Sequence, residues 1–137
     1  MNVSLSATFG TFLYLYDMGY LMEHLSAKKR LFIRQAEICK TFANPTRIEI
    51  LYNLRDGEKS VGELVLLTGI SRTNISQQLA ILRQKGVVET RREGTKIYYR
   101  VSNSKIIRAC ELMREALLEQ LSENERLARE IEKVRGT

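Results

Sequence analysis

The chain is predicted to be mainly α-helical with one small β-hairpin. Three observations carry that prediction. Apolar residues recur at spacings of three and four through most of the sequence, which is the helical period. The pattern changes to alternation and β-branched residues across VVETRREGTKIYYRV, residues 87–101, around Glu93-Gly94. Helical stretches are interrupted at Asn44-Pro45, Asp56-Gly57, Gly69 and Gly86, where helix starts and stops are expected. At 137 residues and 44% hydrophobic content, the chain fits one domain with a real core, plus an appended helix.

The first 25 residues are aromatic-rich and hold no Lys or Arg. A signal peptide needs a basic start and a small-residue cleavage site, and neither is clear. Val3 to Tyr16 is uncharged but short for a membrane span, so no membrane partner is expected. Two readings stand for residues 1–25: an extra helix that packs on a partner subunit, or an upstream extension with translation starting at Met18 or Met22. The second is preferred.

From about Leu25 a helical stripe of Leu31, Gln35, Ile38 and Phe42 runs to Ala43. Asn44 can cap a new helix with Pro45 in its first position. In PTRIEILYNL, Ile48, Leu51 and Leu54 are expected to point inward, with Ile50 and Tyr52 flanking. Ser60 can cap VGELVLLTG, which Gly69 stops. Ser71 can cap the following helix, which ends at Gly86. Two short helices joined by Thr68-Gly69-Ile70 form a helix-turn-helix. In the hairpin that follows, Val88, Ile97 and Tyr99 can face the core, while Arg91, Arg92 and Lys96 crowd the tip.

From Asn103 to about Val134 the pattern is one long helix, about 45 Å at 1.5 Å per residue. Ile106, Cys110, Met113, Leu117, Gln120, Asn124, Leu127, Ile131 and Val134 recur at alternating spacings of four and three, a heptad seam that the polar Gln120 and Asn124 weaken. Such a helix can lie against its own domain. A dimer seam through Ile106, Cys110, Met113 and Leu117 is preferred, because the part beyond Glu123 overruns what a small domain can cover. The expected organisation is a winged helix-turn-helix over 26–104 with long N- and C-terminal dimerisation helices, the latter over 105–137.

The 17 residues from Ile70 to Gly86 carry the most functional information. Ile75, Leu79 and Leu82 share one face. Thr73, Gln77, Ala80 and Gln84 lie opposite, with Ser76 flanking, and that side has no carboxylate. Base edges in a major groove are read by amides, hydroxyls and guanidinium groups, so Ser71, Arg72, Thr73, Ser76 and Gln77 are the expected reading residues. An ordinary amphipathic surface helix has a similar profile, and its neighbours favour the reading role. The net charge is +6, and every Lys and Arg lies at or beyond Lys28. Residues 71–108 hold nine basic residues against Glu89 and Glu93, so the positive charge gathers around this helix and the hairpin. Like charges repel across a ladder. The wing cations Arg91, Arg92 and Lys96 are therefore expected to face a phosphate backbone or a minor groove.

Other chemistries lack parts. His24 is the one histidine, and Cys39 and Cys110 are the only cysteines, far apart and in no CxxC pair. The chain reads as reduced and cytoplasmic. There is no nucleophile beside a base, no glycine-rich phosphate loop and no pair of carboxylates in a plausible pocket, so no enzyme, metal or cofactor is expected.

FANPTRIEIL, GEKSVGEL and SRTNISQQLAILRQKGVVETRREGTKIYYRV resemble the ArsR/SmtB family of bacterial and archaeal repressors, over about Ala36 to Leu118. The resemblance implies a homodimer that binds double-stranded DNA at an inverted-repeat operator and is released by an inducer. Its sensor sites are another matter. Metal sensors of the family often place cysteines around the segment that here reads Ser60 to Leu64, and no cysteine is present. Their second metal site matches Asn103, Lys105, Ala116 and Glu119, three of which cannot ligate. The thiols of sulfur-sensing members match Tyr52 and Leu118. The inducer is thus unassigned. The ordinary reading of Cys39 and Cys110 is a small buried hydrophobe. The competing reading is a thiol sensor in which oxidation or a thiophilic ion acts at Cys110 across the dimer. The alternative function is a winged-helix protein-interaction module with a coiled-coil helix. It predicts exposed apolar residues where Thr73, Ser76 and Gln77 stand.

Overall fold

A computed structural model describes residues 19–21 and 23–136. The readings of the N-terminal segment rest mainly on residues 1–18, which lie outside the described residues. The chain divides into two units, residues 1–40 and 41–137. The first holds most of helix α1 (Ala27–Thr41), whose start is braced by Ser26 Oγ accepting from the Lys29 amide at 3.3 Å. Leu31, Phe32 and Ile38 on α1 are exposed. Among the described residues, no helix is long and apolar enough to cross a membrane.

The second unit opens with α2 (Pro45–Asn53). Asn44 caps it by accepting from the Arg47 amide at 3.1 Å, and Pro45 needs no donor at that position. Its inward face differs from expectation. Ile50, Leu51 and Leu54 are buried, and Ile48 is exposed. Ile50, Leu54 and Leu51 span an arc of about 100°, whereas Ile48 lies about 160° from Ile50, so the two isoleucines cannot share one face.

Strand β1 (Lys59–Ser60) leads into α3 (Val61–Thr68). Ser60 and Glu63 form a reciprocal capping box: the Ser60 hydroxyl accepts from the Glu63 amide at 3.2 Å, and the Glu63 carboxylate accepts from the Ser60 amide at 2.7 Å. Gly69 ends α3 with φ +70°, a left-handed conformation that favours glycine. The turn occupies Gly69-Ile70-Ser71, one residue later than the sequence suggested, and α4 (Arg72–Gln84) follows.

The wing is a three-stranded antiparallel sheet rather than a lone hairpin. β2 (Val88–Glu93) pairs with β3 (Lys96–Val101), and β3 also pairs with β1 through Lys59↔Tyr99 and Ser60↔Tyr98. A two-residue strand is too short to show a period, so β1 left no trace in the pattern. The register Val88↔Val101, Thr90↔Tyr99 and Arg92↔Ile97 places these six residues on one side of the ladder. Val88 is buried, and Tyr99 and Val101 pack on the core. Ile97 shares their side but is exposed, because it lies opposite Arg92, further out toward the tip. Ser102 closes the base of the hairpin, its hydroxyl donating to the carbonyls of Gly86 at 2.6 Å and Val87 at 3.0 Å.

The core joins Ile50, Leu51 and Leu54 of α2 and its end, Leu64 of α3, Ile75, Leu79 and Leu82 of α4, and Val87 and Val88. Helix α5 (Ser104–Arg135) is capped by Asn103, which accepts from the Lys105 amide at 3.0 Å. Ile106 and Ile107 pack against the core, and every residue from 115 to 136 is exposed.

Candidate nucleic-acid interface

The two faces of α4 are cleanly separated. Ile75, Leu79 and Leu82 are fully buried, and Ser71, Arg72, Thr73, Ser76, Gln77 and Ala80 are exposed. Ser71 caps the helix by accepting from the Asn74 amide at 3.3 Å. The outer face is therefore polar, free of carboxylates and held on a rigid element.

A side-chain chain that the sequence did not disclose fixes the start of α4. Arg47 donates through Nε to the Thr41 carbonyl at 2.6 Å and through Nη1 to Gln78 Oε1 at 2.9 Å. Gln78 Nε2 in turn donates to Asn74 Oδ1 at 3.2 Å. This ties the first two turns of the reading helix to the start of α2. The available signal was the pair of amides four residues apart, on the edge between the buried and outer faces. Thr68 stiffens the intervening turn, donating to the Leu64 carbonyl at 2.7 Å and accepting from the Ile70 amide at 3.2 Å.

Arg91 and Arg92 are neighbours in sequence but point to opposite sides of the ladder. Arg91 is fully engaged within the chain. Its Nε lies 3.1 Å from each Glu58 carboxylate oxygen, its Nη2 also meets Glu58, and its Nη1 pairs with Glu93 at 3.0 Å. The same guanidinium lies 4.8 Å from the centre of the Tyr98 ring. The Arg91 hydrogen bond holds the Glu58 carboxyl below its ordinary value of 4.5. That sign means the clasp is intact above the ordinary carboxylate range and loosens as pH falls through the lowered value. The three-cation tip read from the sequence is thus only partly a set of open cations. Arg100 is likewise paired, with Glu89 at 3.2 Å.

Among the described residues, Arg92 donates only to the Gly94 carbonyl, at 3.3 Å. Arg72, Arg83, Lys85, Arg92 and Lys96 have no carboxylate partner among the described residues. Positive charge without an internal counter-charge therefore lies at both ends of α4 and at the wing tip. Such an array attracts a polyanion and does little for the fold.

The expected dimer seam splits in two. Ile106 packs on its own core, and Cys110 is half-buried beside Leu51 and Tyr52 of α2, whereas Met113 and Leu117 are exposed. Cys110 thus lies partly against its own domain. Burial pushes its thiol up, opposed by Arg114 and assisted by Glu111, so it is held protonated and weakly nucleophilic. Cys39 is exposed on α1 rather than buried. Tyr52, at a position the resemblance matches to a sensing thiol, is held between Arg55 at 3.8 Å and Arg114 at 4.5 Å from its ring centre. Among the described residues, no group of three or more His, Cys, Asp or Glu side chains can hold a metal ion.

Comparison with known proteins gives a consistent picture. A family profile described as "Bacterial regulatory protein, arsR family" matches residues 44–90. The biofilm growth-associated repressor of Agrobacterium fabrum is 39% identical over 89 residues, covering 65% of this chain and 76% of that protein. The crystal structure of Rv0081 from Mycobacterium tuberculosis is similar with a TM-score of 0.62 at 39% identity, covering 69% of this chain and 95% of that one. The solution structure of the homodimeric winged helix-turn-helix DNA-binding domain of Mb0332 from Mycobacterium bovis is similar with a TM-score of 0.65 at 35% identity, covering 73% and 94%.

Proposed function

Because the chain belongs to the ArsR family of bacterial regulatory proteins, we propose that it is a homodimeric repressor that reads an inverted-repeat operator and is released by an inducer. It is a transcriptional regulator with a winged helix-turn-helix domain. The observation that carries the reading is the exposed, carboxylate-free face of α4 set beside uncompensated wing cations. Homodimerisation is supported by the homodimeric relative from Mycobacterium bovis and by the exposed Met113 and Leu117 on α5. The site of action is the cytoplasm, where such DNA lies.

Two α4 helices in one dimer enter successive major grooves about 34–36 Å apart. Gln77 grips an adenine edge with two hydrogen bonds, Thr73 offers a methyl to thymine, and Ser76 adds a hydroxyl. Ala80 is small enough to let the helix approach closely. Arg92 and Lys96 contact phosphates and set register rather than sequence. The inducer acts by favouring a conformation of lower DNA affinity.

The test compares a duplex selected by the full chain from a random-sequence pool with a scrambled duplex of the same composition. Gln77→Ala should flatten the preference between them more than it weakens total binding. Arg92→Ala should weaken both alike and shallow the salt slope by about one. If the two variants change both duplexes in the same way, this division of labour is wrong.

A further inference from the structure

An open cleft of about 470 Å³ lies between the first turn of α3 and the outer part of β3. Two cations from different elements line it: Arg72 from the first turn of α4 and Lys96 from the wing. Neither has a carboxylate partner among the described residues. Arg72 reaches over Gly62 of α3. The Arg72 Nη2 atom lies 3.5 Å from where a Gly62 Cβ would stand. The guanidinium therefore runs back across the turn onto α3, away from the outer face that Thr73 and Gln77 share. The Ser60 and Glu63 amides are already consumed by their capping box, so the charge of the cleft comes chiefly from the two side chains. Among the described residues of the lining, Glu63 is the one carboxylate, and it partly offsets the two cations.

We propose that this cleft seats one phosphate of the DNA backbone, gripped jointly by Arg72 and Lys96, which makes Arg72 a phosphate contact and not a base reader. The proposal rests on the DNA-binding reading above. A guanidinium offers a planar pair of donors that matches two phosphate oxygens, and the lysine ammonium adds a point charge from the other wall. A phosphate held this way fastens the reading helix and the wing to the same place on one strand. It fixes the depth and register at which Thr73, Ser76 and Gln77 meet the bases.

The experiment measures binding of the full chain and its variants to the selected and scrambled duplexes across a salt series, with circular dichroism to check folding. Arg72→Ala should weaken both duplexes by the same factor, about tenfold or more for a charge-assisted contact. It should also shallow the salt slope, by less than the about 0.9 of a whole phosphate because Lys96 still serves the same one. Because both cations serve one phosphate, Arg72→Ala with Lys96→Ala together should shallow the slope by no more than about 0.9. Glu63→Gln, which keeps an oxygen for the cap, should tighten both duplexes. A loss of preference for the selected duplex on Arg72→Ala, with the slope unchanged, would make Arg72 a base reader and overturn the proposal while leaving DNA recognition intact. A double variant that loses about two units of slope would mean two separate phosphates and overturn it equally. Failure of the unsubstituted chain to bind either duplex would instead remove the DNA-binding reading itself.

Discussion

Helices α4 and α5 obey the same apolar period but meet different surroundings. On α4, Ile75, Leu79 and Leu82 are fully covered by α2, α3 and the wing base. On α5, cover from the domain ends near Arg114, and no residue of its 32 is fully buried. Met113, Leu117, Leu127, Ile131 and Val134 stand exposed at heptad spacing. Periodicity tells which residues share a side of a helix. It does not tell whether the same chain or another covers that side. The difference suits the proposed division of labour, with a rigid helix for reading DNA and a helix with free apolar surface for association.

Substitution can test the contrast. The largest effect is expected from Leu79→Ala, which should cost about 2–5 kcal/mol in urea unfolding, independent of protein concentration, since its cavity lies inside the domain. A cost near zero would mean that the α4 core face is not packed as described. A smaller effect, of a different kind, is expected from Leu117→Ala. It should shift sedimentation equilibrium toward monomer with little change in helix content, and an unchanged association constant would remove this part of α5 from the interface. The smallest is expected from Cys110→Ser, at the boundary between covered and free α5. DNA affinity before and after peroxide or arsenite should match that of the unsubstituted chain, because the thiol is held protonated against its own domain. A response that the serine variant abolishes would restore the thiol-sensor reading.

How much was legible in the sequence varies by element. Asn44, Ser60 and Ser71 announced three helix starts, and each accepts the expected backbone amide. The buried triad of α4 and its polar outer face followed from spacing alone. Helix α2 was harder. Spacings of three at Ile48, Leu51 and Leu54 looked regular, but three residues fall about 60° short of a turn, so the stripe drifts off the core. The wing cations were harder still. Arg91 and Arg92 look equivalent in the string, yet Glu58 lies 33 positions from Arg91 and only the fold brings them together. Arg47 and Gln78 meet across 31 positions in the same way.

The sequence by itself determined where helices begin and end and which face of α4 is apolar, because caps, glycine turns and periodicity act within a few residues of chain. The tertiary structure decided which cations remain open, that β1 joins the wing, that Arg72 leans across Gly62, and that Cys110 lies beside α2. Each of these depends on groups brought together from distant positions, and the local pattern of a chain holds no record of what will stand opposite it.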